Sequence, residues 1–238
     1  MSTLFISDLH LSGERENITK LFIKFLDQRA SKADALYILG DLYEVWPGDD
    51  MIQPDYLSSI SKLKQLADNG LPLYVMQGNR DFLMAEKFAE VSGANLIEDP
   101  TIIDLYGTPT LLMHGDTLCT DDVDYQKFRA MVRDPGWKEK FFSLPNDERL
   151  AMTSKYRKVS KVETAKKSMD IMDVNQQAVE TVMQEHNIKQ LIHGHTHRPA
   201  IHDFSVNNEK MKRIVLGDWF EQGSVLVCNE NGCQLESI

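Results

Sequence analysis

The chain has 238 residues, 42% of them hydrophobic and 26% charged, the balance of a water-soluble globular protein of one large domain or one domain with an insert. Its net charge of −10 argues against broad nucleic-acid binding. No stretch approaches the ~18 apolar residues of a membrane span, and the opening "MSTLFISDLH" lacks the basic and apolar regions of a signal peptide.

In chain order, "TLFIS" (3–7) is a short apolar run that reads as a buried strand and ends on Ser-Asp. Ile18, Leu21, Phe22, Phe25 and Leu26 then recur at helical spacing. "ALYIL" (35–39) is a second strand, stopped by Gly40-Asp41. Ile60, Leu63 and Leu66 mark a second helix, closed by Asn69-Gly70. "LYVM" (73–76) is a third strand, running into "QGNRD". Alternating strands and helices imply parallel crossovers and a sheet covered by helices.

From about 101 the texture changes. "TIIDL" and "TPTLLM" flank "YGTP" and predict a hairpin. Residues 121–187 read as a helical insert, or cap, on a single domain spanning 1–238, broken at Pro135-Gly136 and Pro145. Residues 127–167 hold 12 basic and 5 acidic side chains, a net of +7 that leaves −17 for the remainder. Such a block suits an anionic ligand or surface met locally, or simply a solvated helix face. Strands resume in "QLIHG", "AIHDF", "RIVLGDW" and "SVLVC". Cys119, Cys228 and Cys233 are odd in number and form no CxxC pair, which fits reduced thiols.

The chemistry collects where strands end. The first gives Asp8 and His10, the second Asp41, the third Asn79 and Arg80, the hairpin His114, and "HGHTH" gives His193, His195 and His197. Ligand sites of α/β sheets gather at the carboxyl ends of strands. Two-residue spacing on an extended segment also aims side chains to one side. Each signal alone is an ordinary turn; five together point to metal. Mixed Asp, His and Asn donors suit Mn²⁺, Zn²⁺ or Fe rather than Ca²⁺. Six or more donors exceed one tetrahedral zinc site, so two ions are implied. A two-metal site generates a nucleophile from water and clamps a phosphoryl group.

The ordered set D-x-H, GD, GN-R-D, H and GH-x-H, spanning 8–197, resembles the calcineurin-like metallophosphoesterases. The resemblance implies an α/β fold, a sandwich of two mixed β-sheets flanked by helices. It implies that Asp8, His10, Asp41 and His197 hold one metal, and Asp41, Asn79, His114 and His195 the other, with Asp41 bridging. Arg80 takes the position where many members carry histidine and is expected to steady phosphoryl oxygens. His193 is left as a support for the ligands or a structural residue.

"FISDLHLS", "ILGDLYEVWPGDD", "MHGDTLCTDDVDYQKFR" and "LIHGHTHRP" resemble a narrower group within that family. Its members use Mn²⁺ to hydrolyse the pyrophosphate of a nucleotide-linked diacyl glycolipid, UDP-2,3-diacylglucosamine, to UMP and 2,3-diacylglucosamine 1-phosphate, a step of lipid A biosynthesis. This implies two Mn²⁺ per chain and catalytic roles for Asp41, Asn79, Arg80, His114 and His195. It implies substrate contacts from Asn79, Arg80, Asp122, Ser160, Thr164, Lys167 and His195. Ser160, Thr164 and Lys167 stand at i, i+4 and i+7, one face of a helix. The implied setting is cytoplasmic, with peripheral contact to inner-membrane lipid, no nucleic acid and no obligate protein partner. Tyr125, Phe128, Met131, Val132, Trp137, Phe141 and Phe142 supply apolar surface to the insert. Most are expected to pack it onto the core, and a subset could line an acyl groove. Other phosphodiesterases or a protein phosphatase of the same superfamily would not explain an apolar, basic cap. A non-catalytic scaffold would be expected to have lost ligand positions, and here all are filled.

Overall fold

The computed structural model describes residues 2–166 and 171–238, with side chains described outside 161–166. Eleven strands form two sheets among the described residues. The first sheet is built on β1 (Thr3–Ile6), β2 (Ala35–Leu39), β3 (Leu73–Met76) and β4 (Asn95–Ile97), all parallel. The second holds β5 (Thr101–Leu105), β6 (Thr108–Met113), β7 (Gln190–His193), β8 (Ala200–Val206) and β9 (Glu209–Val215), in the order β5-β6-β7-β9-β8. The chain then returns to the first sheet as the hairpin β10 (Ser224–Asn229) and β11 (Gly232–Ser237), giving β11-β10-β1-β2-β3-β4. This is the mixed two-sheet α/β sandwich the sequence implies.

Side-chain alternation along the strands creates three apolar layers. Leu4 and Ile6 of β1 and Leu36 and Ile38 of β2 face α1 (Glu16–Gln28), α2 (Leu57–Asp68) and α3 (Glu86–Ser92), meeting Phe22, Leu63 and Phe88. Phe5 and Leu39 face the other way and meet Leu112, Ile192 and Ile214 between the sheets. Leu111 and Leu191 line the outer face of the second sheet, against Val179 and Met183 of α7 (Gln176–Glu185). Thus α7, although it lies within 121–187, packs on the core sheet. Tyr106-Gly107 and Asn207-Asn208, all at positive φ, make the two-residue turns of the β5–β6 and β8–β9 hairpins.

The remaining helices, α4 (Val123–Arg133), α5 (Pro135–Phe142) and α6 (Asn146–Lys166), form the cap. Asp122 and Asp134 cap α4 and α5 by accepting the Tyr125 and Trp137 backbone N–H groups. Polar ties seat the cap. Tyr125 Oη and Arg129 Nε donate to Asp116 Oδ2 at 2.6 and 2.7 Å. Arg133 donates to the Gly78 carbonyl at 3.0 Å, and the buried Arg149 pairs with Asp50.

One expectation is corrected. Cys228 and Cys233 form a disulfide, because the β10–β11 register sets them directly opposite, with Cα atoms 4.1 Å apart. Only Cys119 of the three is a free, buried thiol. The short β4, α3 and the edge strand β11 were not foreseen: three to seven residues with few apolar positions give weak periodicity.

Candidate metal centre

The parallel strands β1, β2, β3, β6 and β7 deliver their carboxyl ends to one edge of the sandwich, and their loops are stitched together there. The Asp8 and His10 N–H groups donate to the Gly40 and Asp41 carbonyls at 3.1 and 3.0 Å, and Gly194 N–H donates to the His114 carbonyl at 2.9 Å. Asp8, His10, Asp41, His195 and His197 all adopt positive φ between 50° and 69°. Left-handed backbone is uncommon for non-glycine residues and costs energy. Five such residues at one locus mark a site held against local preference by its surroundings.

Two donor sets result: Asp8, His10 and His197, and Asp8, Asp41 and His114, the donor atoms of each lying within 4.8 Å of one another. Asp41 faces both, with Oδ2 3.8 Å from His10 Nε2 and Oδ1 3.8 Å from His114 Nε2. Asn79 Oδ1 lies 2.9 Å from both His114 Nε2 and His195 Nδ1. All seven residues singled out as metal donors therefore meet at one place. Arg80 joins them through its backbone N–H, which donates to Asp41 Oδ1 at 2.8 Å.

The donor atoms fit a cation. His10 Nδ1 is 3.1 Å from Glu44 Oε2, and His197 Nδ1 is 3.3 Å from Asp218 Oδ2. Each carboxylate favours a proton on the Nδ1 it faces, which would leave Nε2 to serve a metal. Those two Nε2 atoms stand 3.4 Å apart, close enough for both to serve one metal ion. Asp8 Oδ1 is buried and makes no well-formed hydrogen bond, facing His197 Nε2 at 3.3 Å, while its Oδ2 accepts from Ser7 Oγ and the His195 N–H. A buried carboxylate oxygen left so is costly unless charge is brought to it.

The electrostatics agree. Burial drives the imidazoles of His10 and His195 down to about 4, so both are neutral donors at neutral pH. Burial also opposes charge on His114, but the carboxylates of Asp41, Asp116 and Asp8 outweigh it and raise its pKa to about 9. His197 is likewise raised, against burial, by Asp8. Cations at this spot are thus favoured even before a metal displaces the protons.

His193 stands apart. It is fully buried, its Nδ1 2.9 Å from the Gly194 carbonyl and its Nε2 3.3 Å from Arg213. Burial depresses its pKa to about 3, and the ring acts as a neutral support under the loop. The sequence reading gave no role to Asp81, which lies in the quoted "GNRD". This carboxylate is fully buried and accepts from the N–H groups of Asp41, Leu42, Tyr43 and Gly78, tying the second strand end to the third. Glu44 and Asp218 were also missed, because a lone acid in a loop carries no signal until the fold puts it on an imidazole.

Beside the donors, a cavity of about 420 Å³ opens under the cap, within the range of small-molecule sites of about 300–1,000 Å³. Asn79, Arg80 and Asp122 line its polar end, and Phe82, Phe128, Val132, Trp137, Phe141 and Tyr156 its apolar walls. Ser160 also lines it. The Arg80 Nε is buried and unpartnered. Of the apolar insert residues named from sequence, Tyr125, Phe128, Val132, Trp137 and Phe141 face the cavity, whereas Met131 and Phe142 are exposed. Thr164 and Lys167 lie outside the described side chains.

The calcineurin-like phosphoesterase family model matches residues 1–199. A UDP-2,3-diacylglucosamine hydrolase of Nitrosococcus oceani is 50% identical over 98% of this chain and 93% of its own length. Namesakes from Photobacterium profundum and Stenotrophomonas maltophilia are 48% and 46% identical, each over all of this chain and 97% and 99% of their own.

Proposed function

The chain belongs to the calcineurin-like phosphoesterase family, and from that premise we propose that it hydrolyses the pyrophosphate of UDP-2,3-diacylglucosamine to UMP and 2,3-diacylglucosamine 1-phosphate. The observation that carries this reading is the junction of a two-set donor centre with an aromatic cavity. A diphosphate and acyl chains need those two environments side by side. Asp8, His10, Asp41 and His197 would hold one Mn²⁺, and Asp41, Asn79, His114 and His195 a second. Bound divalent ions supply Lewis acidity and a nucleophile from water at neutral pH.

The chain's own groups do the rest. Arg80, whose Nε is buried and unpartnered, offers its guanidinium fork to phosphoryl oxygens. Its backbone N–H fixes one oxygen of Asp41, so carboxylate and guanidinium keep one geometry. Phe128, Trp137 and Phe141 exclude water and give an acyl chain apolar contact. Asp122, Ser160, Thr164 and Lys167 serve substrate recognition. The test is to incubate purified protein with Mn²⁺ and the UDP-lipid and to identify products by mass spectrometry. UMP and the sugar 1-phosphate are expected, with turnover abolished by exhaustive chelation and restored by Mn²⁺. Turnover by metal-free protein, or an intact substrate with metal present, would remove the reading.

The setting we propose is the cytoplasmic face of the inner membrane, by peripheral contact. No helix among the described residues is long and apolar enough to cross a membrane. The cap exposes Val123, Met131, Phe142, Leu150 and Val159 among its basic side chains, a mixed surface suited to a lipid headgroup layer. Flotation with anionic vesicles is expected to carry the protein upward at low salt and to lose it at high salt. The charge reversals K138E and K140E together are expected to lose it at low salt. Flotation indifferent to both would contradict electrostatic docking.

A further inference from the structure

We infer that Glu44 couples metal binding to seating of the cap. Its carboxylate is the junction between two parts that otherwise belong to different layers. One oxygen lies 3.1 Å from Nδ1 of His10, and the other forms an ion pair with Nε of Arg157 on α6. Glu44 and Arg157 both line the cavity under the cap, and the Glu44 side chain is only 16% exposed. His10 is buried among Asp41, His197 and the ring of Phe220, which stacks on it at 5.6 Å. It therefore has little freedom to move without moving Glu44.

The coupling follows from the chemistry of the imidazole. The Nε2 atoms of His10 and His197 stand 3.4 Å apart, and His10 Nδ1, although 3.1 Å from Glu44 Oε2, makes no hydrogen bond to it. A cation held at Nε2 would polarise the Nδ1–H bond and draw it into a hydrogen bond with that carboxylate. Glu44 is then held where Arg157 finds it, and α6 is drawn onto the site. Thermodynamic linkage requires the reverse as well: a seated Arg157 fixes Glu44, which orients His10 for the metal.

Asp218 provides an internal control. It makes the same carboxylate–imidazole contact, at 3.3 Å to His197 Nδ1, but its other hydrogen bond is to the Phe220 N–H in the loop before β10, away from the cap helices. Asp218 thus supports a ligand alone, whereas Glu44 supports one and also reaches the cap.

The inference rests on the metal-holding reading of the site, and the experiment separates the two. Mn²⁺ binding to the chelator-stripped full chain is followed by titration calorimetry. Hydrogen exchange of peptides covering residues 150–160 is measured with and without Mn²⁺. Wild-type protein is expected to bind Mn²⁺ and to slow exchange in that segment by at least about 3-fold. E44Q is expected to bind about 10-fold or more weakly, the usual scale for a lost partner of a metal-ligating histidine. Even when saturated it should show no metal-dependent slowing. D218N should weaken binding similarly yet keep the slowing. R157Q, which touches no metal ligand, should also weaken Mn²⁺ binding, and this variant decides the matter should E44Q fail to fold. Wild-type protein that binds Mn²⁺ without a change in the segment, or R157Q with wild-type affinity, overturns the coupling. Failure of wild-type protein to bind Mn²⁺ overturns the metal reading itself.

Discussion

Replacing Asp41 by alanine is expected to lower kcat by at least about 100-fold, roughly 3 kcal/mol of transition-state stabilisation, and to lower metal stoichiometry with it. Asp41 is 2% exposed and its two oxygens face different donor sets, one toward His10 and the other toward His114. It also accepts the Arg80 N–H, so its loss frees the loop that carries both Asn79 and Arg80. Alanine introduces a second problem, because residue 41 adopts φ 54°, a region asparagine tolerates better than alanine does. D41N is therefore the sharper variant. It keeps the shape, the backbone conformation and an acceptor oxygen, and removes only the negative charge between the two sets. Both variants are expected to lose metal, counted per chain by plasma mass spectrometry, while D41N keeps a thermal transition close to the wild type's. A D41N protein with two metals per chain and near-normal kcat would refute the shared role of this carboxylate.

The reason Asp41 could be picked out from sequence lies in how the fold uses its strands. Parallel strands place their carboxyl ends on one edge, so short apolar runs that stop at Asp8, Asp41, Asn79, His114 and His195 locate a site without knowledge of the connections. The apolar alternation of β1 and β2 was equally legible, since Leu4 and Ile6 on one side and Phe5 on the other have separate cores to fill. Other features depend on three-dimensional register. Cys228 and Cys233 look unrelated until β10 and β11 pair and set them across from each other. Asp81 reads as one more turn acid, and only the approach of the Asp41–Tyr43 backbone reveals the N–H groups it satisfies. Glu44 belongs to a quoted motif, yet its two partners come from residues 10 and 157. The cap is intermediate. Its basic and aromatic content was plain, but which rings face the cavity depends on how α4 docks through Asp116 and Gly78.

Gly78→Ala, a single added methyl with no charge or hydrogen-bonding group removed, is expected to damage the site nearly as much as loss of Asp41. From sequence, the glycine of "GNRD" is an ordinary turn residue. In the fold a Cβ at this position would stand 2.9 Å from Asp41 Cγ and closer still to the Asp41 Oδ1 and amide nitrogen. Contacts under about 3.0 Å cannot be absorbed by small adjustments, and the Asp41 backbone has little room to yield. It is held on one side by Asp81, which accepts from its N–H, and on the other by the His10 N–H, which donates to its carbonyl. The methyl therefore drives the carboxylate off its place between the donor sets or forces the β2 and β3 ends apart, and Asn79 moves with them. We expect kcat to fall by about 100-fold or more and metal binding to weaken in parallel. Gly70 provides the comparison. It closes α2 and adopts φ +93°, but no atom would lie within 4 Å of an added Cβ. Gly70→Ala should cost about 1 kcal/mol of stability through backbone strain alone and leave kcat and metal content unchanged. Metal stoichiometry, kcat and denaturant midpoints of the two alanine variants, measured side by side, distinguish close approach at a reactive centre from the backbone demands of a turn. A Gly78→Ala protein that loses only stability, with metals and kcat intact, would show that the second and third strand ends can separate without disturbing the centre.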